Sequence, residues 1–151
     1  MAKFRGRYDF SIDQKGRINV PSKFRKLMSP AAEETFVVCR APDGCLWAYP
    51  KDEWEKFEDS LEKMPMSRDV NRFQRTLQNT VSDSAIDKQG RVSLTPLQMK
   101  TAGISKDVSI VGRGNYLEIW DTQKFEEYIS SGEDFDKVYY ETYRSGLPST
   151  E

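Results

Sequence analysis

The sequence predicts an α+β protein that is mainly β and is built from two copies of one short unit. Its clearest feature is an internal duplication, in which residues 86–96 repeat the pattern of residues 12–21. Each half also offers four short strand-like segments, and segments with helical spacing follow each half. Because a half of about 50 residues buries little apolar surface alone, the two halves should interlock into one barrel.

The first element of each half is a tight turn between two short strands. Asp13 and Gly16 occupy the first and fourth positions of this turn, and Asp87 and Gly90 occupy them in the second half. Aspartate at the first position suits a type I turn, and glycine supplies the positive φ and a bulge. The pattern therefore predicts the same turn twice.

A short helix is predicted after the second strand of each half. In the second half it is marked by Thr95 as the N-cap, Pro96 in the first turn and Gly103 at the end.

Two longer helices are predicted to connect the halves. Asp52 and Glu55 resemble a capping box, Pro65 ends the first helix, and Ser67 caps the second. We expect the apolar side chains of these helices, and of the helix after the second half, to face the core: Trp54, Phe57, Leu61, Met64, Val70, Phe73, Leu77, Thr122, Phe125, Tyr128 and Ile129.

The chain, 1–151, is therefore interpreted as one unit made of two repeats. The divisions are a first repeat at 4–50, connecting helices at 51–80, a second repeat at 81–128, and an acidic, partly flexible tail at 129–151. The aromatic residues of the tail suggest a loop and a short docking helix: Phe135, Tyr139, Tyr140 and Tyr143.

Composition excludes several classes of protein. The chain has no histidine, which removes most zinc sites and every histidine-dependent triad. We also expect no metal, no cofactor and no small-molecule substrate. No apolar run approaches the roughly 20 residues of a membrane span, and the start lacks a secretory signal, so a cytoplasmic location is expected. Cys39 and Cys45 are predicted to be reduced thiols in the core.

Charge is distributed unevenly along a chain whose net charge is −1. Residues 1–26 hold eight basic and two acidic residues, whereas residues 121–151 hold three basic and eight acidic ones. This polarity indicates one surface that faces a polyanion and one that repels nucleic acid or meets a basic neighbour. Two solvated faces without a partner are the alternative.

The repeated turn places an arginine four residues after each aspartate. An aspartate that accepts backbone N–H groups makes such a turn rigid, so Arg17 and Arg91 would leave it in a fixed direction. A fixed guanidinium can hydrogen-bond phosphate oxygens or read guanine. The alternative is an Asp–Arg ion pair that only stabilises the turn, by about 0–1 kcal/mol.

An enzymatic interpretation is less favourable. Two aspartates in related halves are reminiscent of the paired carboxylates of aspartic proteases. Those enzymes, however, carry a small residue and then glycine directly after each aspartate, whereas bulky residues, Gln14-Lys15 and Lys88-Gln89, follow here. We therefore expect the chain not to be an enzyme.

The order and spacing of the motifs resemble the MraZ family over roughly residues 4–130. The matching segments are Phe4-Arg5-Gly6, residues 12–17, Pro21-Ser22-Lys23-Phe24-Arg25, Tyr49-Pro50 with Glu53-Trp54, residues 87–91, Ala102-Gly103-Ile104 and Leu117-Glu118-Ile119-Trp120. The second copy has Gln89 where the first has Lys15, and the tail beyond Tyr128 matches no family pattern.

The resemblance implies two AbrB-like repeats in a swapped-hairpin, double-psi-like β-barrel with flanking helices. It further implies a nucleoid-associated homo-oligomer, an octamer or a similar ring, that binds promoter direct repeats in double-stranded DNA. Such proteins regulate their own division and cell-wall gene cluster, commonly as repressors. The resemblance implies that Arg17 and Arg91 contact the DNA and that the turn residues support them: Asp13, Asp87, Gly16 and Gly90. Lys15, Arg5 and Arg7 are further candidate DNA contacts because of their positive charge. A protein-binding scaffold module of the same fold, which meets an acidic protein segment, is the alternative.

Overall fold

The computed structural model describes residues 3–148, so the last three residues of the predicted flexible tail lie outside the described residues. The structure mixes helices and strands, and strands form its main body. Its strands are β1 (Arg7–Ser11), β2 (Arg17–Asn19), β3 (Thr35–Arg40), β4 (Leu46–Pro50), β5 (Ser82–Ala85), β6 (Arg91–Ser93), β7 (Asp107–Gly112) and β8 (Leu117–Asp121). Its α-helices are α1 (Ser22–Leu27), α2 (Lys51–Glu62), α3 (Arg68–Thr80), α4 (Pro96–Ala102), α5 (Thr122–Ser131) and α6 (Phe135–Val138). Short 3₁₀ turns lie at Pro30–Ala32 and Pro42–Gly44.

Six strands form one antiparallel sheet in the order β1-β7-β8-β4-β3-β5. This order is symmetric under exchange of the two halves, because each half gives its first strand to the third strand of the other. β1 pairs with β7 from Arg7↔Val111 to Ser11↔Asp107, and β5 pairs with β3 from Thr35↔Ala85 to Val38↔Ser82. β1 and β5 end as the two edges of an open sheet, so the closed barrel stays a prediction.

The remaining strands, β2 and β6, pair with each other and form a separate antiparallel ribbon. Each of them directly follows one of the two predicted turns. The ribbon therefore crosses between the halves and brings the two turns to the same part of the molecule.

The helices α1 and α4 follow the ribbon strands, as predicted. For α4, Thr95 and Gln98 form a reciprocal capping box, Pro96 opens the helix, and Gly103 ends it in the left-handed conformation. α1 begins after Pro21 without a side-chain cap. The predicted start and stop signals of α4 are thus confirmed.

The core lies between the sheet, the ribbon and these two helices. Phe4, Phe24 and Phe36 are buried and pack ring against ring, with centroids 5.2 and 6.4 Å from Phe4. Cys39 and Cys45 are buried free thiols, as predicted. Burial raises the pKa of each thiol to about 12, which keeps both protonated.

Five predictions about the helices need correction. α2 begins at Lys51 with Pro50 as its N-cap and no side-chain cap, so Asp52 and Glu55 form no capping box. Met64 lies beyond the end of α2, and Phe73, one turn before the buried Leu77, is 39% exposed. The side chains predicted to be internal that are instead exposed are Met64, Phe73, Tyr128 and Ile129. Trp54 is buried and Ser67 caps α3, both as predicted.

The tail forms a helix but docks on nothing in the described chain. α6 continues into a π-helical turn at Tyr139–Arg144, and every residue from 132 to 148 is exposed. The helix suggested by the aromatic residues of the tail is therefore present, whereas its predicted docking is not seen within residues 3–148. No helix in this range is long and apolar enough to cross a bilayer.

Candidate nucleic-acid interface

The first repeated turn is fixed by its aspartate. One carboxylate oxygen of Asp13 accepts the backbone N–H groups of Lys15 and Arg17 at 2.9 and 2.8 Å. The other oxygen accepts the side-chain Nε–H of Arg17 at 2.6 Å. The aspartate thus closes the turn and orients the arginine that follows it.

The second turn repeats this arrangement with Asp87 and Arg91. Asp87 accepts two backbone N–H groups and the Nε–H of Arg91, each at 2.9 Å. Backbone hydrogen bonds, followed by the arginine side chains, hold the pKa of Asp13 and of Asp87 below the usual aspartate value. Both carboxylates are therefore ionised at neutral pH.

The glycines of the two turns pack against elements of the opposite halves. Gly16 and Gly90 both have a φ of 78°. A side chain at Gly16 would come within 2.7 Å of the backbone oxygen of Leu94, and one at Gly90 within 2.7 Å of the Arg25 guanidinium carbon. The positive φ thus favours glycine at both positions, and at Gly16 the close approach of the Leu94 backbone excludes a side chain as well.

The ribbon brings the two arginines together. In its register, Asn19 is opposite Arg91, and Arg17 is opposite Ser93. Nη1 of Arg91 lies 3.8 Å from the carboxylate of Asp13, so the two turns share an electrostatic contact. Arg17, Arg91 and both supporting aspartates therefore form one cluster, as a two-turn binding surface requires.

The two arginines differ in how many of their N–H donors remain free to bind a ligand. Arg91 also donates from Nη2 to the side-chain oxygen of Gln89 at 2.7 Å. Arg17 uses only its Nε, and its two Nη groups make no hydrogen bond among residues 3–148. Beside it stands the exposed Lys15, the counterpart of Gln89. The first turn thus offers more free donors and more positive charge than the second.

Arg25 joins this cluster, although sequence analysis did not place it in the site. Its Nε–H donates to the backbone oxygen of Val20 at 3.2 Å, which lays the guanidinium against Gly90. The corresponding position in the second repeat is Met99, which lies against Gly16. The two repeats match closely around this position, but the first has arginine where the second has methionine. This difference is the sequence signal that could have identified Arg25 as part of the site.

Arg5 and Arg7 lie outside the two turns, and their contact with DNA stays a prediction. Arg7 is the first residue of β1, and Arg5 precedes the strand by two residues. Arg7 pairs with Asp9 and Glu126 and lies 5.0 Å over the Phe125 ring. Its charge is therefore compensated within the chain.

The geometry opposes use of the two aspartates as a proton-sharing pair. Each carboxylate accepts three hydrogen bonds within its own turn, and arginines neutralise both. A shared proton needs two carboxylates that face each other and repel. These aspartates orient arginines instead.

The predicted Asp–Arg ion pairs exist in both turns but are solvated. The Arg17 and Asp13 side chains are 31% and 35% exposed to solvent. Ion pairs as exposed as this stabilise a fold by only about 0–1 kcal/mol. Their main consequence is the direction of the guanidinium groups. Within residues 3–148 there is no cluster of three or more carboxylate or thiol groups that could hold a metal ion.

The two repeats exchange strands, and each carries one Asp-x-x-x-Arg turn. These features define a class of two-repeat proteins in which both repeats contribute a strand and an arginine to one ribbon. The sequence model of the MraZ family, described as "MraZ protein, putative antitoxin-like", matches residues 3–77 and 81–142. The chain belongs to the MraZ family.

Curated relatives agree with this membership. A protein of Oenococcus oeni is 39% identical over 137 residues, which cover 89% of this chain and 93% of the relative. One of Nitratidesulfovibrio vulgaris is 38% identical over 145 residues, covering 95% and 96%. One of Clostridium tetani is 36% identical over 136 residues, covering 89% and 93%. Each of these three relatives is named "Transcriptional regulator MraZ".

Proposed function

We propose that this protein is a sequence-specific DNA-binding transcriptional regulator. The observation that carries the proposal is the pairing of β2 with β6, which joins the two rigid turns in one ribbon and brings Nη1 of Arg91 to 3.8 Å from the carboxylate that orients Arg17. Guanidinium groups held in fixed directions suit both phosphate contact and guanine recognition. The names of the relatives support the same function.

Within this function the first turn is the main reader. Arg17 has both Nη groups available and Lys15 beside it, whereas Arg91 is tied to both Asp87 and Gln89. Arg25 adds a third guanidinium from α1. We therefore assign base or phosphate contact to Arg17 and phosphate contact to Arg25 and Lys15, with Arg91 in a supporting place.

The larger assembly follows from the family resemblance. We propose two repeats, 4–50 and 81–128, joined by helices at 51–80, as one swapped-hairpin barrel that assembles with copies of itself into a nucleoid-associated ring. The ring would bind direct repeats in the promoter of its own division and cell-wall gene cluster, as a repressor. Several weak contacts joined in one assembly gain affinity through effective concentration, which suits a chain with one small basic cluster per copy.

Fluorescence anisotropy tests the proposal, with DNA from upstream of the protein's own gene compared with a shuffled fragment of equal composition. We expect the native fragment to bind about tenfold more tightly, which is about 1.4 kcal/mol. Affinity should fall steeply as salt rises, because phosphate contacts release counterions. Arg17→Ala should remove the preference between the fragments.

Two further variants separate charge from geometry. Arg17→Lys keeps the charge and loses the two-pronged donor, so it should weaken the preference while retaining salt-dependent binding. Lys63→Ala removes an exposed charge beyond α2, distant in sequence from both turns, and should leave the preference unchanged. Equal binding of both fragments at every salt concentration would overturn the proposal and favour the protein-binding scaffold as the function.

A further inference from the structure

The residue that enters each turn is hydrogen-bonded to the opposite repeat, and the two bonding partners carry opposite charges. The N–H of Ile12 donates to the backbone oxygen of Lys106 at 2.7 Å, and the N–H of Ile86 donates to that of Glu34 at 2.8 Å. Ile12 and Ile86 directly precede the two turn aspartates. The structure therefore places a lysine at the base of the first turn and a glutamate at the base of the second.

The two positions are equivalent in the duplication. Lys106 directly precedes β7, and Glu34 directly precedes β3, the matching strand of the other half. Both hydrogen bonds use backbone oxygens, so the turns require neither side chain for their conformation. The difference in charge therefore concerns the surface that the turns present.

Neither side chain is engaged within the described chain. Lys106 and Glu34 are both exposed, and neither forms an ion pair or a side-chain hydrogen bond among residues 3–148. The residue before Glu34, Glu33, is paired with Lys51 at 3.3 Å. The ammonium of Lys106 and the carboxylate of Glu34 are thus available to act on a ligand.

A cleft beside the second turn shows which groups share the surroundings of Glu34. It has a volume of about 570 Å³, and its lining includes Arg25, Glu34, Asp87 and Lys88. Asp87 is paired with Arg91 at 2.9 Å, whereas Glu34 is an unpaired carboxylate beside the two cations that a phosphate would approach. Because like charges repel, Glu34 opposes the binding of a phosphate in this cleft.

The first turn has surroundings of the opposite sign. Lys106 lies at its base, and Lys15 and Arg17 follow within the turn. The carboxylate of this turn, Asp13, is bound to Arg17. The position that corresponds to Glu33 is the uncharged Ser105. A phosphate that approaches the first turn therefore meets a lysine where one that approaches the second meets a glutamate.

We infer that Lys106 contacts a DNA phosphate beside the first turn and that Glu34 opposes the equivalent contact beside the second, so that each chain holds DNA mainly through the turn of Arg17. The inference rests on the proposed function and names two residues that decide which turn docks. Phosphate contacts fix the register of a protein on the duplex, whereas base contacts read its sequence. Lys106 therefore holds the duplex against Arg17, and Glu34 keeps Arg91 in its supporting place.

Lys106→Gln tests the first part of this inference by fluorescence anisotropy. The loss of one phosphate contact should weaken binding to the native and the shuffled fragment alike, and should reduce the slope of log Kd against log salt by about one. Lys63→Gln removes the same charge at an exposed position beyond α2 and should leave affinity and slope unchanged. A Lys106→Gln chain that binds like the Lys63→Gln chain would overturn the inference.

Glu34→Gln tests the second part. Removal of the repelling carboxylate should tighten binding to both fragments, because phosphate can then approach Arg25 and Lys88. Glu55→Gln, which removes the same charge from exposed α2, is the matched control and should have no effect. Equal affinities for the Glu34→Gln and Glu55→Gln chains would show that Glu34 does not act on DNA and would overturn this part.

Exchange of the two charges provides the sharpest test. In a chain with Lys106→Glu and Glu34→Lys, the phosphate contact should move to the second turn. Arg17→Ala and Arg91→Ala are then compared in the wild-type and the exchanged chain, by their loss of preference for the native fragment. We expect Arg17→Ala to cause the larger loss in the wild type, by about tenfold, and Arg91→Ala to cause the larger loss in the exchanged chain.

The control for the exchange makes the same two charge changes elsewhere. Glu55→Lys with Lys63→Glu alters α2, whose Trp54 packs on the face of the sheet opposite to the ribbon. This pair should leave Arg17→Ala as the larger loss. Thermal unfolding identifies any exchanged chain that fails to fold, and the two single glutamine variants then decide the inference, since each neutralises one exposed side chain.

The outcomes separate this inference from the proposed function. If the native fragment is preferred and the exchange leaves Arg17→Ala as the larger loss, the inference fails and the function stands. If Arg91→Ala causes the larger loss already in the wild type, the second turn docks the DNA and the inference is wrong. Equal binding of the native and the shuffled fragment by the wild type would contradict the proposed function and this inference with it.

Discussion

The two repeats keep the same turn but surround it with different side chains. Asp13 and Asp87 accept equivalent hydrogen bonds, and both turn glycines have a φ of 78°. In the helices that follow, equivalent positions hold Phe24 and Gln98, and both are fully buried. The geometry of the turn is therefore retained by two supports of different chemistry.

In the first repeat the support is aromatic packing. The Phe24 ring lies edge-on to Phe4 and Tyr8, with centroids 5.2 and 5.1 Å away. In the second repeat the support is a hydrogen-bond network around Gln98. The comparison teaches that the Asp-x-x-x-Arg turn, rather than the core beneath it, is the part the duplication preserves.

The largest expected effect comes from removing the aromatic support. Phe24→Ala deletes a fully buried ring and should lower the free energy of unfolding by about 3–5 kcal/mol. Chemical denaturation measures this loss, and Leu27→Ala, on the exposed side of the same helix, is the control. A loss below about 1 kcal/mol would mean that the first repeat does not depend on this packing.

The corresponding change in the second repeat tests the polar support. The amide nitrogen of Gln98 donates to the backbone oxygen of Thr80 at 2.7 Å and to the Ser82 hydroxyl at 2.8 Å, and its oxygen accepts the Thr95 N–H. Gln98→Leu keeps the side-chain volume but leaves these groups without hydrogen-bond partners, which should lower the free energy of unfolding by about 1–3 kcal/mol. Equilibrium unfolding measures it, and Lys100→Leu on the exposed face should change stability by less than about 0.5 kcal/mol.

This pair of positions also shows how far sequence could predict the structure. The turns, the α4 caps and the duplication could be predicted because each depends on residues close in sequence. Gln98 as a core residue could not, because its partners Val38 and Thr80 come from distant elements. A buried glutamine is recognisable only once those acceptors are placed.

The site was predictable to a similar depth. Asp13 and Arg17 form a local pattern, so the contact between them could be predicted from their spacing. The approach of Arg91 to Asp13 depends on β2 pairing with β6, and the position of Arg25 depends on how closely it meets Gly90. Arg5 and Arg7 were predicted as DNA contacts on charge alone, and charge along a sequence does not specify which surface a strand presents it on.

The turn glycines should respond unequally to the same substitution. Alanine costs about 1–2 kcal/mol at either position because of the positive φ. At Gly16 the new Cβ also meets the backbone oxygen of Leu94, whereas at Gly90 it meets the flexible Arg25 side chain, which can move. We expect Gly16→Ala to be the more destabilising by about 1 kcal/mol. Thermal and urea unfolding of the two variants measure the difference, and equal losses would show that Leu94 yields as easily as Arg25.

The smallest expected effect concerns acid and separates the two aspartates. Because the folded-state pKa of each is lowered, their contribution to stability is present above the unfolded value of about 3.9 and is lost as pH falls through the folded pKa. Asp13→Asn and Asp87→Asn should each reduce the loss of stability below about pH 4. The reduction should be larger for Asp13→Asn, because Asp13 faces both Arg17 and Arg91. Urea midpoints measured from pH 7 down to pH 2.5 would decide this, with Asp59→Asn on exposed α2 as the control. Identical pH profiles for the two turn variants would show that the 3.8 Å approach of Arg91 to Asp13 contributes nothing, and that the turns act independently.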